Sequence, residues 1–214
     1  EVAFNLAVPS LFALTALGAW SIGHAIGLRA RGVRPAVVGG LAVLFTVLLG
    51  NLTGVEWAVK GLADVMRGGS FPLFDYWAAS RVVPYTINEF PLWTFTFADL
   101  HPHLIAMPFG LLTAGLALNW IVNRPVTWRQ WLLNIFLIAL SLGALGAINT
   151  WDLPTYALLI AGAMLLAAWR APGEGRGRAL PAAAFAAISA LLLSVLAYLP
   201  FYRNYQAQVG GGEG

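Results

Sequence analysis

The sequence predicts an all-α polytopic membrane protein, and three observations carry that prediction. First, 59% of the 214 residues are hydrophobic and only 10% are charged, with a mean hydropathy of +0.75. Soluble globular domains carry about 25% charge. Second, the apolar residues fall into six runs, about Ala3–Leu28, Pro35–Thr53, His103–Val122, Trp131–Ile148, Pro154–Trp169 and Leu180–Phe201. Most approach the roughly 20 residues that span a bilayer as a helix. Third, the 9 Trp, 6 Tyr and 12 Phe gather near the ends of these runs, as an aromatic belt requires.

The fifth run is short and is expected to tilt little or to begin within the loop before it. Three of the connections are short and basic: Arg29, Arg31 and Arg34 in the first, Arg124 and Arg129 in the second, Arg170, Arg176 and Arg178 in the third. They hold eight of the twelve Lys and Arg and one of the nine acids, Glu174. With six spans all three lie on one side, and the positive-inside rule makes that side cytoplasmic. The expected location is therefore the cytoplasmic membrane. Both chain ends, the loop from about Gly54 to Pro102 and the "NTWDLPT" turn then face outward.

The long loop has structure of its own. "VEWAVKGLADVMR" sets Val55, Val59, Leu62 and Met66 on one helical face, and Glu56, Lys60, Asp64 and Arg67 on the other. That predicts an amphipathic helix on the outer surface, stopped by "GGS". "DYWAASRVV" predicts a second short helix with Asp75 as N-cap, stopped by Pro84. The whole of 1–214 reads as one transmembrane domain. The chain begins without Met and without a basic leader and ends "QVGGGEG", so it is expected to be a segment of a longer polypeptide.

Several function classes lack support. Cysteine is absent, which excludes disulfides, thiolate metal sites and a cysteine nucleophile. The net charge is +3 and no basic stretch exceeds three arginines in six residues, so no nucleic-acid partner is indicated. No serine-hydrolase elbow, Walker A or zincin pattern occurs. No span carries the chain of charges that an ion or proton pathway needs. The Asn51-Leu52-Thr53 glycosylation match sits at a helix end and is weak.

Chemistry concentrates in "INEFPLWTFTFADLHPH", which holds Glu89, Asp99, His101 and His103. Pro102 biases His101 to extended geometry and suits the first turn of a helix, so the third span begins here. Asp99, His101 and His103 could supply two imidazoles and a carboxylate to a divalent metal. They could equally act in acid–base chemistry or contact phosphate at a helix start. A histidine could ligate a haem or pigment. The plain alternative is a hydrogen-bonded start to a helix. Asp152 in "NTWDLPTY" is either the N-cap of the fifth span or a partner of the Asp99 cluster, with Asn149 and Trp151 beside it. Glu89 is either solvated or paired with Arg81, and Arg81 could grip a lipid phosphate or simply sit among headgroups. His24 reads as a packed interfacial histidine.

Three stretches, "AFNLAVPSLFALTA" (Ala3–Ala16), "INEFPLWTFTFADLHPHLIAMPF" (Ile87–Phe109) and "AINTWDLPTY" (Ala147–Tyr156), resemble the YYY family of bacterial and archaeal membrane proteins, whose defining domain has no known function. "SRVVP" (Ser80–Pro84) and "YLPFY" (Tyr198–Tyr202) fit it too. That family is similar in layout to the GT-C membrane glycosyltransferases, which take a sugar from a polyprenyl-phosphate carrier on the outer side. The resemblance implies that Asp99, His101 and His103 belong to an active-site rim, with Glu89, Arg81 and Asp152 near it. Asp99, Glu89 and Asp152 would be the acids of the reaction; Arg81, His101, His103, Asn149 and Trp151 would meet phosphate or substrate. The tyrosine-rich motif that names the family lies upstream of the matched region and is not in this chain. The main catalytic acid of GT-C enzymes would also lie upstream. Two further expectations stand beside the transferase: a non-catalytic subunit that assembles with protein partners in a larger membrane complex, and a lipid-handling transporter.

Overall fold

A computed structural model describes residues 2–171 and 175–205; Glu174 and the terminal "QVGGGEG" lie outside them. The described residues form α1 (Val2–Gly27), α2 (Pro35–Val43) running on as a π-helical turn (Leu44–Leu48), α3 (Thr53–Met66), a 3₁₀ turn (Ala78–Ser80), α4 (Pro91–Phe97), α5 (Pro102–Val122), α6 (Trp128–Ile148), α7 (Asp152–Trp169), α8 (Gly175–Ala197) and α9 (Leu199–Asn204). No strand occurs among the described residues. Five helices are long and apolar enough to cross a membrane, and six crossings result if the bent pair of α2 and α3 counts as one. The chain is thus an all-helical membrane protein, as its composition predicts.

Contacts divide it into two units, Glu1–Leu104 and Ile105–Gly214. In the first, α1 and α2 form a hairpin held by small residues. Thr15, Ala19, Gly23 and Gly27 recur every fourth position on the buried face of α1. A Cβ on Gly23 would stand 2.7 Å from the Val38 carbonyl oxygen, and one on Gly27 would stand 2.7 Å from the Pro35 Cα. Close backbone approach through small residues is how membrane helices associate when the hydrophobic effect offers little between them. Arg34 is extended (φ −75°, ψ 124°) because Pro35 follows it, and Pro35 opens α2.

The second apolar run departs from a single span. Its helix ends at Leu48, and Leu49 turns extended (φ −82°, ψ 127°). The chain then bends by 83° into α3. Gly50 permits the break, because the Phe90 ring occupies the space a Cβ would need. α3 itself matches the amphipathic expectation. Lys60 pairs with Glu56 and Arg67 with Asp64 on its polar side. Val55, Val59, Leu62 and Met66 remain exposed on the other, as suits a face that rests on lipid.

In the second unit α6 is the central helix. Half of its most apolar window is buried, against 28% for α7 and α8. It starts at Trp128 rather than Trp131, because Thr127 and Gln130 close a capping box. Thr113 of α5 and Ser141 of α6 join hydroxyls at 2.5 Å, and Asn119 donates to Asn134 at 3.0 Å. Two polar rungs therefore fasten this hairpin at separate depths. α6 meets α8 at Gly143, beside the Ser194 carbonyl and under the Tyr198 ring, while Gly146 lies against Tyr202 of α9 and Leu153 of α7. α7 begins at Asp152, within the preceding loop. The last run breaks at Tyr198 (φ −103°, ψ 12°) before α9, where Pro200 contributes no N–H.

Candidate functional site

The site is built by one reversal of the chain around α4. Phe90 is extended and Pro91 opens the helix, where a missing N–H costs nothing. Seven residues later Ala98 adopts the left-handed conformation (φ 57°, ψ 33°), and its N–H bonds to the Thr94 and Phe95 carbonyls. Only glycine enters that region without strain, so alanine there is held by its surroundings. A tight turn follows, in which the His101 N–H donates to the Asp99 carbonyl at 2.9 Å. Pro102 then starts α5. The reversal carries His101 back to the residue that preceded α4. Its Nε2 lies 3.3 Å from Asp99 Oδ2 and 3.8 Å from Glu89 Oε1.

Two carboxylates thus approach one ring nitrogen. A single N–H can serve only one of them at a time, so a protonated ring would hold both by charge and share its proton with either. The three side chains are partly covered yet reachable: 24% exposed for Glu89, 38% for His101 and 45% for Asp99. His103 is exposed on the first turn of α5, with its ring 6.1 Å from that of His101. Among the described residues no three His, Asp or Glu side chains group as a metal site would require. The carboxylates converge on a nitrogen rather than on a common centre.

Glu89 therefore faces His101, not Arg81. Arg81 turns back on its own loop: its Nη1 donates to the Ser80 carbonyl at 3.0 Å and hydroxyl at 2.6 Å, and its guanidinium stacks 5.5 Å from the Trp77 ring. The loop between them is closed at its neck, where the Asn88 N–H donates to the Ser80 carbonyl at 2.8 Å. Val83 N–H and the Thr86 hydroxyl both donate to the Asn88 side chain. The N-cap of the 3₁₀ turn is Trp77 rather than Asp75, although the Asp75 carboxylate accepts from the Trp77 and Ala78 N–H at 3.0 Å, and that turn is shorter than the helix expected from "DYWAASRVV".

Around α4 lies an aromatic cluster that the sequence pattern did not single out. Trp57 meets Phe71 and Phe74; Tyr76 stacks on Trp93, and Trp93 on Phe97, at 4.8 to 5.4 Å between centroids. Tyr76 O–H donates to the Trp93 carbonyl and Trp93 Nε1–H to the Tyr76 carbonyl, each at 2.9 Å. Burial pushes the Tyr76 phenol above its ordinary range, with Thr96 opposing, so it stays a donor across the neutral range. The available signal was the i,i+4 pair Trp93 and Phe97 just before Asp99, which marks a short helix inside what looked like irregular loop.

Asp152 belongs to the second unit. It occupies the first turn of α7 and is not its N-cap; that position is Trp151, whose side chain caps nothing and is 84% exposed. The Asp152 carboxylate instead accepts from Asn149 Nδ2 at 3.1 Å, and its N–H donates to the Asn149 carbonyl at 2.9 Å. This closed turn explains the "NTWD" spacing without further chemistry. His24 stacks on Trp20 at 6.3 Å within α1, consistent with a packed residue.

A family model described as "Uncharacterized membrane protein (DUF2298)" matches residues 1–213. No curated protein and no solved structure matches the chain. The family match bears out a membrane family of unknown function; the YYY label and the glycosyltransferase likeness are not part of it.

Proposed function

The chain belongs to the DUF2298 family of membrane proteins, and we propose that Glu89, Asp99 and His101 form the acid–base edge of a transferase site working on a sugar carried by a polyprenyl phosphate. The observation that carries this reading is the convergence of two carboxylates on one imidazole nitrogen, 3.3 and 3.8 Å away, at the start of a membrane helix. The basic connections support an outward-facing position for it.

In the proposed reaction Asp99 accepts the proton of the acceptor hydroxyl, and the acceptor oxygen bonds to the sugar's anomeric carbon. The bond from that carbon to the carrier phosphate breaks, and the phosphate oxygen leaves with the electron pair. His101 holds the two carboxylates in place and takes up or returns the proton. Arg81, exposed and already oriented by Ser80 and Trp77, has guanidinium N–H groups left to meet the phosphate. His103 is a second phosphate contact.

The test is turnover of a polyprenyl-phosphate-linked sugar by the full-length protein. Asp99→Asn keeps the shape but loses the base, and turnover is expected to fall about 10²–10⁴-fold. Arg81→Gln is expected to cost about 10²-fold or more, the loss usual for one electrostatic contact to a leaving oxygen. Unchanged turnover in both would transfer the residues to the alternative reading. There, the hydrogen-bonded turn from Asp99 to His101 serves only to start α5 in a non-catalytic subunit.

A further inference from the structure

We infer that the cavity of about 290 Å³ between the end of α2 and the aromatic loop holds an acyl chain of a membrane phospholipid. The inference does not depend on the transferase reading. The cavity is lined by Leu48, Leu49 and Gly50, by Val55 of α3, and by Phe74 and Trp93 among others, and it is mostly apolar. It lies beside the π-helical turn and the break at Leu49, where the chain leaves the direction of α2. Phe45, Leu48, Leu49 and Leu52 are exposed along this stretch, so apolar surface leads from the α2 flank to the cavity.

The chemistry of the wall selects the ligand. Each polar side chain lining the cavity is already engaged within the protein. Asn51 Nδ2 donates to the Ala79 carbonyl at 2.5 Å and its Oδ1 accepts from Thr53 N–H at 3.2 Å. Tyr76 and Trp93 bond to each other's carbonyls, and the Thr96 hydroxyl donates to the Leu92 carbonyl at 2.7 Å. A polar ligand would shed its hydration and find no free polar side chain, whereas a hydrocarbon chain loses nothing. The volume lies at the foot of the roughly 300–1,000 Å³ range of ligand sites, which fits part of one chain. Phospholipid acyl chains are the medium that surrounds the apolar surface of a membrane protein, which makes one of them the occupant.

The experiment uses the full-length protein in nanodiscs of phosphatidylcholine carrying a diazirine on one acyl chain, with the photoadducts mapped by mass spectrometry. Adducts are expected to concentrate on residues 48–55, 74–79 and 90–96. Gly54 has open space where a side chain would grow, as does Gly162 on α7. Gly54→Trp is expected to reduce labelling at these positions about tenfold, and Val55→Trp provides a second filling variant. Gly162→Trp leaves labelling unchanged, and so does excess unlabelled polyprenyl phosphate. Adducts spread evenly over all apolar helices, labelling that survives both filling variants, or displacement by polyprenyl phosphate would overturn the inference.

Discussion

Full-length protein carrying His101→Ala is expected to turn over a polyprenyl-phosphate-linked sugar about 10²–10⁴-fold more slowly, with KM little changed. His101 is the side chain that meets both carboxylates, at 3.3 Å from Asp99 and 3.8 Å from Glu89. Truncating it removes the proton carrier and leaves two negative groups without the ring between them. The loss then falls on the chemical step and not on donor affinity. His103→Ala is expected to stay within about tenfold of the parent, because its exposed ring stands apart from the carboxylates and only assists phosphate binding. An equal loss in both variants would argue for a phosphate site built from two histidines. A rise in KM alone for His101→Ala would argue for binding without acid–base work.

The largest expected effect on stability comes from Gly143→Leu. Gly143 lies where α6 meets α8, and a Cβ there would press into the Tyr198 ring and stand 2.7 Å from the Ser194 carbonyl oxygen. The ring could swing aside, but the helix backbone cannot without parting the two helices. Overpacking of this kind typically costs about 1–3 kcal/mol, and here the main seam of the second unit is the part that opens. Gly162→Leu provides the contrast: nothing lies within 4 Å of its added Cβ. Relief of glycine's cost in a helix should leave that variant equal to the parent or more stable by about 0.5–1 kcal/mol. Reversible unfolding in detergent checks both. Equal stability for Gly143→Leu would mean that α6 and α8 are not packed at this contact.

The helices were legible where apolar runs were long. α1, α5, α6 and α7 fall within three residues of the expected bounds, because nothing in a bilayer competes with an uninterrupted apolar helix. The second run misled because hydropathy records composition and not direction. Leu49 and Leu52 are apolar enough to extend a span, yet Gly50 and the Phe90 ring turn the chain through 83° between them. Tyr198 broke the last run for a similar reason, since Pro200 offers no N–H to continue the helix. The start of α6 was readable in principle, as Thr127 and Gln130 have capping-box spacing.

The candidate site was legible as a group of residues and not as an arrangement. Glu89, Asp99, His101 and His103 stood out as polar residues beside an apolar run. That Glu89 pairs with His101 depends on the left-handed Ala98, and a lone alanine gives no sign of a reversal. Arg81 was the natural partner for Glu89 by charge. The Ser80 and Trp77 contacts, which hold the guanidinium elsewhere, follow only from the closed loop between Ser80 and Asn88.

In the proposed site Glu89, Asp99 and His101 act as one unit, and a double-mutant cycle in the turnover assay tests that most directly. Glu89→Gln and His101→Ala are measured singly and together in the full-length protein. Residues that act as a unit are strongly non-additive, so the double variant should lose no more than about threefold beyond the worse single one. Losses that multiply, or a cycle in which neither substitution changes turnover, would contradict a shared catalytic role for the cluster.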